Sequence, residues 1–590
     1  MAAPRIIVIG GGLAGLSAAI KIAEAGGTVD LFSIVPVKRS HSVCAQGGIN
    51  AAKNLKGEGD TTYKHFDDSI YGGDFLANQT PVKLMCEAAP AIIDLLDRMG
   101  VPFNRTPEGL LDFRRFGGTL YNRTAFAGAT TGQQLLYALD EQVRRYESEG
   151  KVKKYEGWEF LSAVIDSKGV ARGITALDLR TMELRSFPAG AVLLATGGIG
   201  AIFGKSTNSV VCTGSAQSAV FQQGVTYANG EFIQVHPTCI PGEDKLRLMS
   251  ESARGEGGRV WVPRTAGDKR LGRQIPEGER FYFLEEWYPK YGNLVPRDIA
   301  TRAIHKVVYE EGLGLDGQPM VYLDLTHIDR ATLDRKLGGI LDIYEKFVGD
   351  DPHEVPMKIF PGMHYTMGGV WVDFNQMTNI PGIYAIGECD YQYHGANRLG
   401  ANSLLSCIYA GFVAGPHALN YAKNLTAMEG DGGHAAEITR QAEINARLLK
   451  NEGEENPFKL WRELGDTMTK HATVIRYNKG LKQADEKIVE LLDRYKNVSL
   501  ADRSQWANTS FAFARQLKNM LELARVIAQG AMLRDESRGA HYKPDFPERN
   551  DEQFLKTTKA SYTDSGPRFE FEEVDTQFIQ PRRRSYDAAN

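Results

Sequence analysis

The sequence predicts an α/β protein in which a Rossmann-like nucleotide-binding domain is interrupted by an α+β capping domain and followed by a helical domain and a C-terminal tail domain. Three observations predict it. Arg5–Ile9 is a β-branched apolar run that enters a glycine loop and then a segment of helical composition, Leu13–Ala25, with a second apolar run at Thr28–Phe32. That strand–turn–helix–strand order opens a doubly wound sheet. Two more short apolar runs, Ala191–Ala195 and Gly382–Ile386, end in Thr196-Gly197-Gly198 and Gly387-Glu388. Between them lies a stretch rich in Arg, Glu and Gly, and such a stretch marks an insertion.

The expected division places the nucleotide-binding domain at 1–235 and 356–423 and the capping domain at 236–355. The helical domain is expected at 424–535 because Ala442–Lys450 and Lys487–Tyr495 carry apolar residues at i, i+3 and i+4. The segment 536–590 is polar, with Pro544, Pro547, Pro567 and Pro581, and closes on Arg582-Arg583-Arg584, expected as a solvated tail.

With 590 residues, 42% hydrophobic and 24% charged, the chain has material for several cores, and a net charge of -4 gives no electrostatic case for nucleic acid. The six cysteines are scattered, with no CxxC pair and no metal-ligand spacing, so reduced thiols and no metal are expected. No clustered cysteines offer an iron–sulfur site, so electrons are expected to leave through another protein. No signal peptide is expected, because the first apolar run opens directly into the glycine loop. The uncharged stretch Leu399–Ala422 is long enough for a membrane span, but its Gly, Asn, Ser, Pro and His content suits a helix buried against a cofactor.

Gly10-Gly11-Gly12-Leu13-Ala14-Gly15 fits GxGxxG after a strand and before a helix. Gly10, Gly12 and Gly15 allow close backbone approach, and Leu13 and Ala14 begin the helix whose N-terminus faces a pyrophosphate. The loop fits NAD as well as FAD. Ser33 stands where such folds carry an acid for a ribose hydroxyl, so that contact is expected to be completed elsewhere. Thr196, Gly197 and Gly198 form a second cofactor turn.

The segment Arg39-Ser40-His41-Ser42-Val43-Cys44-Ala45-Gln46-Gly47-Gly48-Ile49-Asn50 closely resembles the flavin-attachment segment of succinate dehydrogenase and fumarate reductase flavoproteins. The resemblance continues through Gln234-Val235-His236-Pro237-Thr238, Ser250-Glu251-Ser252-Ala253-Arg254-Gly255-Glu256-Gly257-Gly258 and Pro296-Arg297-Asp298. It is completed by His364-Tyr365-Thr366-Met367-Gly368-Gly369, His394–Ser403 and Ser537–His541, in family order along almost the whole chain. Three elements depart from the family pattern. Thr213-Gly214-Ser215-Ala216 lacks the usual acid, which leaves Glu388 as the candidate for the ribose hydroxyls; Val235 replaces a phenylalanine, and Ser250 replaces a threonine while keeping the hydroxyl.

The resemblance implies a Rossmann-like FAD-binding domain, with FAD bonded covalently through its 8α-methyl to His41. It implies cofactor contacts from Ser40, Ser42, Ala45, Gln46, Gly47, Gly48, Arg398, Ser403 and Leu404. It implies interconversion of succinate and fumarate, with His236, Ser250, Glu251, His364 and Arg398 binding the dicarboxylate. Proton transfer falls to Arg297, relayed through Glu251 and Arg254. A lone Arg or Glu is ordinarily a surface ion pair; the ordered set is what overturns that reading. The implied partners are an iron–sulfur subunit and a membrane-anchor cytochrome b subunit, of the diheme kind, leading to quinone. The implied location is peripheral, on the cytoplasmic face of the inner (cell) membrane. The alternatives are an L-aspartate oxidase-like enzyme with non-covalent FAD, a self-contained fumarate reductase with its own donor domain, and a non-catalytic flavin-binding assembly module. No CxxCH is present for the second, and the intact His, Glu and Arg set argues against the third.

Overall fold

A computed structural model describes residues 4–242, 245–425 and 431–586; the residues before position 4 and the last four of the polar tail lie outside it. The organising element is a five-stranded parallel sheet of β1 (Arg5–Ile9), β2 (Thr28–Ser33), β3 (Val152–Glu156), β4 (Ala191–Leu194) and β5 (Ile383–Ala385), in the order β5-β4-β1-β2-β3. Ile6, Ile7 and Val8 are fully buried, so β1 reads as a continuous apolar run because both of its faces are covered. Helix α1 (Leu13–Glu24) buries ten residues and stops where Gly26 takes φ +86°. It packs on α2 (Asn402–Lys423) so closely that a Cβ on Gly411 would come within 2.7 Å of the Ala14 carbonyl oxygen. The uncharged stretch from Leu399 is thus largely a buried helix. Its first three residues form a turn instead, with Ala401 at φ +63°. Among the described residues no helix is long and apolar enough to cross a membrane.

The inserted region forms a six-stranded sheet that includes the antiparallel pair Ile233–Ile240 and Met357–Thr366. The first strand runs through the border expected at 235/236, and the second begins just beyond the border expected at 355/356. Their register shifts between Gln234 and Val235 and again between His236 and Cys239. Pro237, which has no N–H to donate, sits in the second irregularity. The helices Arg297–His305 and Arg330–Val348 belong to this layer.

Four helices follow: His434–Lys450, Pro457–His471, Asn478–Tyr495 and Thr509–Leu533. The last is the most buried, and its N-terminus is capped by Asn508, which accepts from Phe511 N at 2.9 Å. The C-terminal segment is built into the body: Lys556–Ser561 pairs antiparallel with Tyr227–Ala228 and with Arg568–Glu573. The expectation of a solvated Arg582–Arg584 tail is corrected here. Arg582 donates to Asp67, while the Arg584 side chain is only 7% exposed and donates to Asp298 at 2.5 and 3.0 Å. A buried carboxylate 286 residues away supplies the partner, and no sequence spacing shows it.

Candidate active site

The carboxyl ends of β1, β2, β4 and β5 open on a cavity of about 450 Å³ that runs from the glycine loop to the cap. At one end, Gly10 has φ +115°, and a Cβ there would lie 2.0 Å from the Ala195 carbonyl oxygen. Only glycine fits. Its N–H donates to Phe32 O at 2.8 Å, holding β1 against β2. Helix α1 begins with no side-chain cap at Gly12; Leu13 N donates to Ser42 Oγ at 3.3 Å. Its N-terminal end faces the cavity, which suits a diphosphate.

Gly10, Gly12, Leu13, Ala14, Ser33, Ser40, His41, Ser42, Ala45, Gln46, Gly47, Gly48, Thr196, Gly197, Glu388, Arg398, Ser403 and Leu404 all line the cavity. Gly15 and Gly198 stand behind the wall: a Cβ on Gly15 would meet Gly10 O, and one on Gly198 would meet Glu388 Oε1. Glu388 accepts from Thr366 N at 3.1 Å and Thr366 Oγ1 at 3.3 Å, and burial pushes its carboxyl up to about 7. Ser33 and Ser215 also line the cavity, and Ser215 Oγ accepts from Asn519 Nδ2 at 2.8 Å. The trough, the open helix terminus and the buried Thr196 hydroxyl without a partner fit a flavin dinucleotide.

His41 opens the short turn His41–Cys44. Ser209 N donates to its Nδ1 at 3.2 Å, and Asn208 Nδ2 lies 3.3 Å from its Nε2. Burial, helped by the Lys245 cation, lowers its pKa to about 4. The imidazole is therefore neutral near pH 7. A bond from carbon to Nε2 would leave the ring's one lone pair on Nδ1, where the Ser209 N–H is aimed.

At the cap end, two histidines and three arginines surround one carboxylate. Strand pairing brings the His236 and His364 rings to 4.9 Å between centroids, at 69°. Thr238 N donates to His236 Nδ1 at 3.2 Å, so the neutral ring carries its proton on Nε2. That Nε2 is buried with no partner among the described residues. Both rings are held well below the ordinary histidine range by burial and then by Arg297. Arg398 donates to Ser403 Oγ at 3.0 Å, lies 4.4 Å from the centroid of the Tyr365 ring, and keeps a buried Nε without a partner. Burial, and after it Arg297, lowers its pKa.

Glu251 joins the arginines. One of its oxygens accepts from Arg297 Nε at 2.9 Å and NH2 at 2.8 Å; the other accepts from Arg254 NH2 at 2.7 Å. Glu251 precedes the one-turn helix Ser252–Gly255, which puts it and Arg254 on one face. Burial raises its carboxyl, but Arg297 and Arg254 outweigh this and hold it below the usual range. Arg254 is behind the cavity wall, anchored to the carbonyls of Asn293 and Val295. Ser250 Oγ bonds Ser252 Oγ at 2.9 Å on the wall itself. Arg254 and Arg297 share the single Glu251 carboxylate, and Arg398, which makes no ion pair among the described residues, adds a third cation beside two neutral histidines. A dicarboxylate supplies the complement.

Reading the sequence for site residues missed several. Gln234 is fully buried, accepts from Arg297 NH1 at 2.9 Å and donates to Arg398 O at 2.8 Å, so it bridges the two arginines. Its place in the Gln234–Thr238 motif was the available signal. Trp158, Glu159, Phe160 and Gln516 line the other end of the cavity, and burial pushes the Glu159 carboxyl up to about 7. Nothing in the local pattern sets these residues apart.

Residues 5–404 match the family described as FAD binding domain, and residues 461–586 match the family described as Fumarate reductase flavoprotein C-term. The chain is 62% identical to the succinate dehydrogenase flavoprotein subunit of Bacillus subtilis, across 99% of each chain. It is 34% identical to the fumarate reductase flavoprotein subunit of Escherichia coli, across 98% of this chain and 95% of that one. Among solved structures, a point-mutant form of the E. coli quinol fumarate reductase FrdA superposes with a TM-score of 0.90 at 32% identity, covering 98% of both chains. With the FAD trough and the dicarboxylate-sized excess of positive charge, these likenesses establish that the chain belongs to the succinate dehydrogenase and fumarate reductase flavoprotein family of FAD-dependent oxidoreductases.

Proposed function

We propose that this chain interconverts succinate and fumarate with FAD bonded covalently to Nε2 of His41. The observation that carries the reading is the buried excess of positive charge in the Arg254–Glu251–Arg297–Arg398 set beside two neutral histidines. When bound, FAD supplies the acceptor or donor of a hydride. The chain's own residues do the rest. Arg398 grips one carboxylate with its planar fork, and His236, His364 and Ser250 supply donors that orient the dicarboxylate. Donors concentrated on one carboxylate also twist it out of conjugation and polarise the adjacent double bond.

Arg297 moves the proton at the neighbouring carbon. A guanidinium is an acid only if it regains its proton at once, and Glu251 is in contact to return it. Arg254, bonded to the other oxygen of Glu251, continues that path behind the cavity wall. In this reading, residues 1–235 and 356–423 hold the cofactor while 236–355 carry Ser250, Glu251, Arg254 and Arg297 onto it. An iron–sulfur subunit would accept the electrons that FAD supplies when bound. That subunit leads to a membrane-anchor cytochrome b and quinone on the cytoplasmic side of the cell membrane. Similar chains named as flavoprotein subunits, and one named quinol fumarate reductase, support this assembly.

The test is denaturing electrophoresis of the purified protein. The wild-type band keeps flavin fluorescence and a His41→Ala band loses it while its native form still binds FAD. A wild-type band without flavin overturns the tether.

A further inference from the structure

Both substrate-side histidines meet a threonine at Nδ1, but by different atoms. At His236 the backbone N–H of Thr238 donates; the Thr238 hydroxyl also lies 3.2 Å from Nδ1, but it gives its proton to Met249 O at 2.8 Å. At His364 the contact is a side chain: Thr207 Oγ1 lies 2.7 Å from Nδ1. The competing acceptor for that hydroxyl, Met363 O, is 3.5 Å away and already accepts the Thr207 N–H at 3.0 Å. The short contact therefore takes the hydroxyl proton, and Nδ1 accepts it.

We infer that Thr207 is a positioning residue that fixes the tautomer of His364, so that its Nε2–H is presented to a substrate carboxylate; the inference rests on the proposed role of His364 as a substrate ligand. Because burial with Arg297 and Arg398 keeps His364 neutral, it has only one proton to place. On Nδ1, that proton would leave a lone pair facing the carboxylate. On Nε2, it makes a donor. The loop carrying Thr207 is held for this task. Ser206 bridges Met363 in parallel, and Asn208 Nδ2 donates to His364 O at 2.8 Å. Asn208 and Ser209 also contact His41, so one buried loop orients the histidine at the flavin and the histidine at the substrate. Thr207 is 6% exposed and lines the cavity beside His364.

The test compares Thr207→Val, Thr207→Ser and His364→Ala as full-length flavin-loaded proteins. Three quantities are read: malonate affinity, the separation of KM from kcat, and ¹⁵N shifts of histidine-labelled protein. A lost hydrogen bond to a charged group predicts that T207V weakens malonate by about 10- to 100-fold. The same variant raises the KM for succinate more than it lowers kcat, and shifts the His364 nitrogens toward the Nδ1–H form. T207S restores all three, and flavin content is unchanged throughout. If His364→Ala binds malonate like wild type, the site reading itself fails. If His364→Ala weakens binding while T207V matches wild type, or T207S does not rescue, the inference about Thr207 is overturned.

Discussion

Replacing Arg297 with lysine separates carrying a proton from holding a substrate. Arg297 makes three hydrogen bonds, two to one oxygen of Glu251 and one to Gln234. Lysine keeps the positive charge and reaches only one of these partners at a time. Glu251 stays paired with Arg254, so no unpaired buried carboxylate results. Arg398, His236 and His364 are untouched, so malonate affinity stays within about tenfold of wild type, the worth of one or two hydrogen bonds. Proton transfer loses its aligned donor, which is worth about 10²- to 10⁴-fold in rate, or about 3 to 5 kcal/mol of barrier. The assay is succinate oxidation with an artificial acceptor, beside malonate titration of the flavin spectrum. Near wild-type turnover would falsify the proton-carrying role. A loss of malonate affinity equal to the loss of turnover would make Arg297 a clamp instead.

Two further outcomes follow from the electrostatics. Because burial holds His236 and His364 neutral, malonate affinity stays flat between pH 6.5 and 8 once Glu388, whose carboxyl lies at about 7 in the same cavity, is replaced by glutamine. A roughly tenfold loss per pH unit above 6.5 would mean that a protonated histidine binds the ligand. Arg584→Ala strips a partner from Asp298, which lies beside Arg297 and accepts from Asn397 beside Arg398. The expected loss is about 3 kcal/mol of stability, read as a lower urea midpoint, and an unchanged midpoint would show the C-terminal contact to be idle.

How much of this was legible in the sequence depends on the range of the contact. The glycine loop, β1, α1 and β2 lie within thirty consecutive residues, and their bounds came out within a residue or two. His41, His236, Glu251, Arg297, His364 and Arg398 stood out because family motifs carry them, and all of them line one cavity. Their relations were not legible. The meeting of His236 with His364 depends on a strand register with two irregularities, and the Thr207 contact depends on a loop 157 residues away. Gln516, on the helix Thr509–Leu533, reaches Glu159 across 357 residues. The turn at Leu399–Ala401 broke an apolar run that read as continuous helix, because Ala401 adopts a left-handed backbone there. Arg584 looked like a solvated charge because its carboxylate partner, Asp298, lies 286 residues away in sequence.

The most direct measurement is steady-state turnover of the purified protein in both directions with artificial electron acceptors and donors, with malonate as competitor and aspartate as control substrate. The account predicts succinate oxidation and fumarate reduction, both competitively inhibited by malonate, with no oxidation of aspartate. Oxidation of aspartate to iminoaspartate without succinate turnover would contradict it.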